Sequence, residues 1–354
     1  MKILTKILIA TVLLLIVVGS ILVYSASGDM TLFRSHIANV VFALIAFFVF
    51  LVMPYEYYRG VTKYALMGVI VLLAATLFIG IEKNGATRWI SLGFFSFQPS
   101  EIAKFLLVIH LANLIESKGE LIGDFKKGYV FAITWIVMVA FFVVIQPNVS
   151  TTIIITIVSF TILYVGGAKL KHLFVTAGSA AALVAIAAAL LPHARYRLDK
   201  FLFGETLQVT QAKIALGSGG LTGLGFGHSR QSDLFVPYPY GDFIYSILGE
   251  ELGFIGALTV LFLYLTIFVI CLIIAKRSTD TFGQLTAFGL GFMIVISAFI
   301  NAGVVMGVLP TTGITLPFIS FGGTSLIVFS VSIAVVLNIA VRNNKRRELN
   351  LARA

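Results

Sequence analysis

The chain has 354 residues, of which 59% are hydrophobic and 11% charged, with a formal net charge of +10. Soluble domains carry about 25% charged residues, so a soluble multi-domain protein is excluded: most of its apolar surface would have nothing to cover it. The composition points to an all-α integral membrane protein, and at roughly 20 apolar residues per crossing there is room for about ten transmembrane helices.

In chain order, the first block starts basic (Lys2, Lys6) and runs apolar to Tyr24. A signal-peptide core spans roughly 7–15 residues. This one is longer, so a retained helix near 7–25 is expected rather than a cleaved leader, although Ser25-Ala26-Ser27 has the small residues of a cleavage site. Further apolar blocks place helices near 36–54, 62–82, 99–115, 128–145, 149–166, 172–191, 243–275, 284–308 and 315–341. The chain 1–354 reads as one polytopic membrane domain. Residues 192–242 form a long extracytoplasmic loop, re-entrant or amphipathic, between helices 7 and 8, and 342–354 form a basic cytoplasmic tail.

The polar punctuation carries the chemistry. Arg88-Trp89 suits an interfacial anchor, since Trp belongs to the headgroup belt. The fourth helix opens Gln98-Pro99-Ser100-Glu101, with Pro99 near N1. Glu101 and Lys104, three apart, meet on one face, either as a self-neutralising pair or in support of a site. Gln146-Pro147-Asn148 makes a tight hairpin between helices five and six. The glycine-rich run Ala215–Gly227 allows close backbone approach, but it lacks the Lys-Ser/Thr pair of a nucleotide loop. Asp242 opens the eighth helix, as an N-cap or as a working acid. Glu250 and Glu251 lie deeper, where an ionisable group costs a few kcal/mol and is functional by default. That helix is long enough to project beyond the bilayer. Cys271, the only cysteine, excludes a disulfide within the chain. Finally, Leu309–Ser325 interrupts an apolar run with prolines and glycines. In lipid such backbone survives only where protein or water covers it, so the segment is expected to line a cavity.

Lys and Arg fix the orientation. With the N-terminus inside, nearly every short loop on that side is basic, which satisfies the positive-inside rule. Topology and anionic headgroups account for the net charge without nucleic acid. Arg34, Lys83, Arg88, Arg195, Arg197, Lys200, Lys213 and Arg230 break the rule. Cations held on the outer face fit an anionic ligand such as a lipid pyrophosphate; headgroup contact is the plainer alternative for any one of them.

The stretches Arg88-Trp89-Ile90, Gln98 to Lys104, Gln146-Pro147, Gln211-Ala212 with the glycine run, Asp242-Phe243-Ile244, Gly249 to Phe254 and Leu309 to Ser325 together resemble the shape, elongation, division and sporulation family. Thr-Gly-Ile-Thr-Leu-Pro-Phe-Ile-Ser is closest to its division and sporulation branch. The resemblance implies a ten-helix peptidoglycan glycosyltransferase of the bacterial cytoplasmic membrane, polymerising lipid II at the outer face. It implies a class B penicillin-binding transpeptidase and divisome proteins as partners. It puts Asp242 at the family's essential acidic position, as base or as ligand of a divalent cation (Mg or Mn). Arg88, Lys104, Arg197 and Lys213 become candidates for the pyrophosphate, with Glu101, Glu250, Thr312 and Ser320 in support. Asn148, Ser232, Tyr238 and Tyr240 depart from the family pattern: Asn148 stands for a common Asp, Ser232 for a common Lys, and Tyr238 and Tyr240 for Glu and His, which removes a possible acid partner for Asp242. The competing readings are an elongation or sporulation polymerase, a lipid II flippase, and a non-catalytic scaffold for the transpeptidase.

Overall fold

A computed structural model describes residues 2–83, 86–91, 93, 96–190, 207–230, 239–311 and 313–353. Among them the chain forms helices α1 (Lys2–Ser27), α2 (Met30–Val52), α3 (Tyr58–Ile79), α4 (Pro99–Lys118), α5 (Val130–Ile145), α6 (Val149–Val165), α7 (Leu170–Leu190), α8 (Leu207–Ser218), α9 (Ile244–Lys276), α10 (Thr281–Val305) and α11 (Gly323–Arg353). Each expected helix falls on one of these, and α8 is an additional short one. α1, α2, α9, α10, the segment Tyr55–Ile79 containing α3, the segment Phe125–Ile145 containing α5, and α11 to Arg346 are long and apolar enough to span a bilayer. α6 is shorter, and α4 carries Glu101, Lys104, Glu116 and Lys118. This is an all-α membrane architecture.

Local chemistry sets the helix starts. The Asp29 carboxylate accepts from the Thr31 amide (2.7 Å) to cap α2, Pro99 occupies the first turn of α4, and Asn148 accepts from the Thr151 amide to cap α6. α11 and α10 form the centre of the bundle, with 89% and 78% of their apolar windows buried, against 11% for α2, whose side chains mostly face outward.

The sequence reading missed two features. Residues 81–97 contain a small antiparallel sheet in the order β1 (Ile81–Lys83), β2 (Ala86–Ser91), β3 (Ser96–Phe97), with Ile81 opposite Trp89 and Ile90 opposite Phe97. Its pairing satisfies backbone groups of the paired residues outside any helix. The second feature is in α9, which does not run straight out of the membrane as one long helix but breaks at Gly253 (φ 69°, ψ −173°).

The glycine-rich segment lies across that break. The Leu224 and Gly225 amides donate to the carbonyls of Glu250 and Glu251 (both 3.0 Å), and the amides of Phe254 and Ile255 donate to those of Gly220 (2.9 Å) and Leu221 (3.1 Å). A broken helix leaves carbonyls on one side and amides on the other without partners, and one passing segment supplies both. Only glycine permits the approach: a Cβ on Gly253 would lie 2.3 Å from the Gly223 nitrogen, and one on Gly223 would lie 2.1 Å from the Glu251 oxygen.

At the opposite end of the bundle, where α4 finishes and α10 starts, the side chains form a charge network. Arg59 pairs with Glu116 at 3.0 Å and with Asp280. Tyr55 donates to Asp280 (2.8 Å), and Glu56 holds Arg346 (2.6 Å) and Arg342 (3.5 Å).

Candidate active site

Three consecutive carbonyls carry Asp242 into place. The Phe321 amide donates to the Tyr240 oxygen (2.9 Å), the Ser320 hydroxyl to the Gly241 oxygen (2.8 Å), and the Asn301 amide Nδ2 to the Asp242 oxygen (2.7 Å). Ser320 also accepts from the Leu316 amide (2.7 Å), and Asn301 reaches the Ile314 oxygen (2.6 Å). Tyr264, buried in α9, donates to the Pro317 carbonyl. The irregular Leu309–Ser325 segment is thus satisfied by buried side chains rather than by a helix, as membrane depth demands. It presents its backbone to the residues entering α9.

The Asp242 side chain faces this segment. Gly313 (φ 67°) lies so close that a Cβ there would come 3.3 Å from Asp242 Oδ2. The N-cap position of α9 falls to Phe243, which makes no side-chain cap bond, so Asp242 is not the cap that its place in the sequence allowed. The residue is half-buried by accessible surface yet ringed by protein. Burial raises its carboxyl pKa above the usual carboxylate range, and the positive charge of Arg88 pulls it partly back. Arg88 itself is tied down from β2, where Nε donates to the Gln146 carbonyl (3.1 Å) and the guanidinium to that of Pro147. The hairpin between α5 and α6 therefore aims the cation.

The other predicted site residues divide. Lys104 bonds both oxygens of Glu101 at 3.1 Å, the two being 3% and 8% exposed, with Nζ 5.1 Å from the centre of the Phe329 ring. Lys213 of α8 packs against Gly307, where the chain leaves α10: a Cβ on that glycine would meet its Cε at 2.2 Å. Glu250 accepts from the Ser229 hydroxyl (2.5 Å) and the Arg230 amide (3.0 Å), and Glu251 from Ser25 and the Gly227 amide (3.2 Å). Glu251 thus fastens the end of the glycine-rich segment with help from α1, and Glu250 holds the residues that follow it. Asn148 donates to Ser100 (3.3 Å), and the Gln98 amide to Thr324 (3.1 Å), which joins the start of α4 to the signature segment. Arg197 and Thr312 lie outside the described residues, as do Arg195, Lys200, Ser232 and Tyr238. Sequence reasoning passed over Asn301, although a lone amide in the apolar run Ala298–Val305 is the kind of polar residue that faces a bundle interior.

For a divalent cation, the described residues hold no group of three or more His, Cys, Asp or Glu side chains. Mg²⁺ commonly uses one or two carboxylates and completes its shell with water and substrate phosphate. Asp242 fits that shared mode and not a cage built from protein alone. A cavity of about 480 Å³ opens at the opposite end of the bundle, lined by Glu116, Glu120, Lys169 and Thr281 among others. It is remote from Asp242 and belongs with the charge network.

A family model described as "Cell cycle protein", covering FtsW, RodA and SpoVE, matches residues 5–345. The chain is 35% identical over 366 residues to the probable peptidoglycan glycosyltransferase FtsW of Nitrosomonas europaea, covering 97% of this chain and 94% of that protein. It is also 35% identical over 358 residues to stage V sporulation protein E of Bacillus subtilis, covering 94% and 96%. A chain solved in work on the structural coordination of polymerization and crosslinking by a peptidoglycan synthase complex matches with a TM-score of 0.83 and 26% identity, over 95% of this chain and 97% of that one. On the motifs, the fold and these relatives, the chain belongs to the FtsW, RodA and SpoVE family, the shape, elongation, division and sporulation group.

Proposed function

We infer that this chain is a peptidoglycan glycosyltransferase that polymerises lipid II into β-1,4 glycan strands at the outer face of the cytoplasmic membrane, in the division branch of its family. The observation that carries the reading is the placement of Asp242: a carboxylate at the end of the bundle, whose main chain is held through the carbonyls of residues 240–242 by Phe321 and Ser320 of the signature segment and by Asn301, with Arg88 acting on it. The basic loops at the other end support cytoplasmic termini and an outward-facing site.

The donor is an α-linked sugar pyrophosphate, and the product linkage is β-1,4, so one in-line displacement suffices. The acceptor 4-hydroxyl oxygen bonds to the anomeric carbon, the bond from that carbon to the pyrophosphate oxygen breaks, and the hydroxyl proton passes to Asp242. Its raised pKa suits a base that must take a proton in the transition state. Arg88 and Lys213, with Arg197, meet the charge that develops on the leaving pyrophosphate. Glu101 and Lys104 neutralise each other inside the membrane and hold α4 in register. In the alternative role as a cation ligand rather than base, Asp242 would hold Mg²⁺ or Mn²⁺, which would supply charge neutralisation for the leaving pyrophosphate.

The solved relative belongs to a complex that couples polymerization with crosslinking, which supports a class B penicillin-binding transpeptidase as partner, working with other divisome proteins. The test is glycan polymerisation from purified lipid II by the full chain with its transpeptidase, with and without added divalent cation. Polymer formation is expected. Movement of labelled lipid II across vesicles without polymer would support a flippase, and neither activity would support a scaffold.

A further inference from the structure

Asn301 lies near the end of α10, 1% exposed, in the run Ile300-Asn301-Ala302-Gly303. An amide buried among apolar side chains is costly unless it is hydrogen-bonded. Nδ2 directs its donors to two segments far apart in sequence, the Asp242 oxygen at 2.7 Å and the Ile314 oxygen at 2.6 Å. These carbonyls flank the functional carboxylate: one belongs to Asp242 itself, and the other follows Gly313, where an added Cβ would come 3.3 Å from Oδ2. We propose that Asn301 is the positioning residue of Asp242, bridging the two carbonyls so that the carboxylate stays at a fixed offset from the Gly313 backbone.

Neighbouring bonds make the role separable from folding. Ser320 and the Phe321 amide hold the two preceding carbonyls, so loss of Asn301 frees the main chain at Asp242 and leaves the rest of the junction laced. Arg88 is anchored on the α5–α6 hairpin and Lys213 packs at Gly307, neither through Asn301. Substrate affinity therefore survives while the reacting carboxylate loses its aim. A misplacement of about 1 Å costs on the order of 100-fold in rate.

The inference rests on Asp242 being the reacting acid, and the test separates the two claims. The full-length protein with its transpeptidase is assayed for lipid II polymerisation per folded molecule. Asn301→Leu removes both donors, Asn301→Gln keeps them, Thr286→Val removes another buried hydroxyl of α10, and Asp242→Asn tests the acid. The expected result is a 10- to 100-fold fall in kcat for Asn301→Leu with KM within twofold, partial recovery in Asn301→Gln, and near-normal kinetics in Thr286→Val. Equal kcat in the two Asn301 variants overturns the proposal, as does a loss lodged in KM. So does failure of Asn301→Leu to fold while Thr286→Val folds, since the amide would then be a folding requirement. An active Asp242→Asn would instead remove the reading of the acid itself.

Discussion

The two ends of the bundle manage polarity in opposite ways. At the end that carries Arg59, each acid of the network has a cationic partner: Glu116 and Asp280 share Arg59, and Glu56 takes Arg342 and Arg346. These pairs are partly exposed, where a salt bridge contributes about 0–1 kcal/mol and either partner is expendable. At the Asp242 end, neutral groups hold the main chain of residues 240–242: Asn301, Ser320 and a main-chain amide grip three carbonyls, and a glycine-rich segment closes a broken helix. The difference teaches where function lies. One end ties its helices together with partly exposed ion pairs, while the other fixes the main chain at Asp242 with uncharged donors.

Substitutions can break or sharpen that contrast. The largest effect is expected at the buried pair: Lys104→Met leaves Glu101 uncompensated and should lower stability by about 3–5 kcal/mol, with much of the loss recovered when Glu101→Gln is added. Thermal unfolding in detergent measures both. Next comes Gly253→Ala, which forces a side chain into the left-handed region and against the passing segment. Strain and overpacking together are on the order of 3 kcal/mol, read as a lower melting temperature and less folded protein.

Arg88→Gln should act on rate rather than on fold. Burial holds the Asp242 carboxyl above the ordinary range and Arg88 pulls it down, so removing the cation raises it further. A base works deprotonated, so the rate falls as pH drops through its pKa, and the acidic limb of the kcat profile should move to higher pH in the variant. An unmoved limb would detach Arg88 from the acid. Gly313→Ala costs about 1–2 kcal/mol for its left-handed backbone, but activity should fall more than stability, because the new methyl presses on Asp242 Oδ2. Smallest of all, Arg346→Gln at the opposite end should change stability by at most about 1 kcal/mol and leave polymerisation intact.

Much of this was readable from the residues. Long apolar runs gave each expected helix, because a span must satisfy its own backbone within the segment. The prolines and glycines of Leu309–Ser325 marked the place where that rule is met otherwise, and Asp242 stood out as an acid at a helix entrance. The features that were not legible all depend on long-range backbone pairing. Gly253 lies just after Glu250 and Glu251 in a run that otherwise reads as one continuous helix, and only the segment 219–225 crossing it shows why the helix can break there. Glu250, expected in a supporting role, also accepts from Ser229 and the Arg230 amide just beyond the glycine-rich segment, a contact no local period encodes. Asn301 was passed over for the same reason, since its two partners lie 59 and 13 positions away.

The most direct test of the central claim is polymerisation of lipid II by Asp242→Asn beside the parent protein, both with the transpeptidase and at matched folded amount. Asparagine keeps the volume and hydrogen-bonding shape of the side chain and removes the base. The account predicts that the variant folds, binds its partner and makes no glycan polymer. Polymer at a rate near the parent's would contradict it.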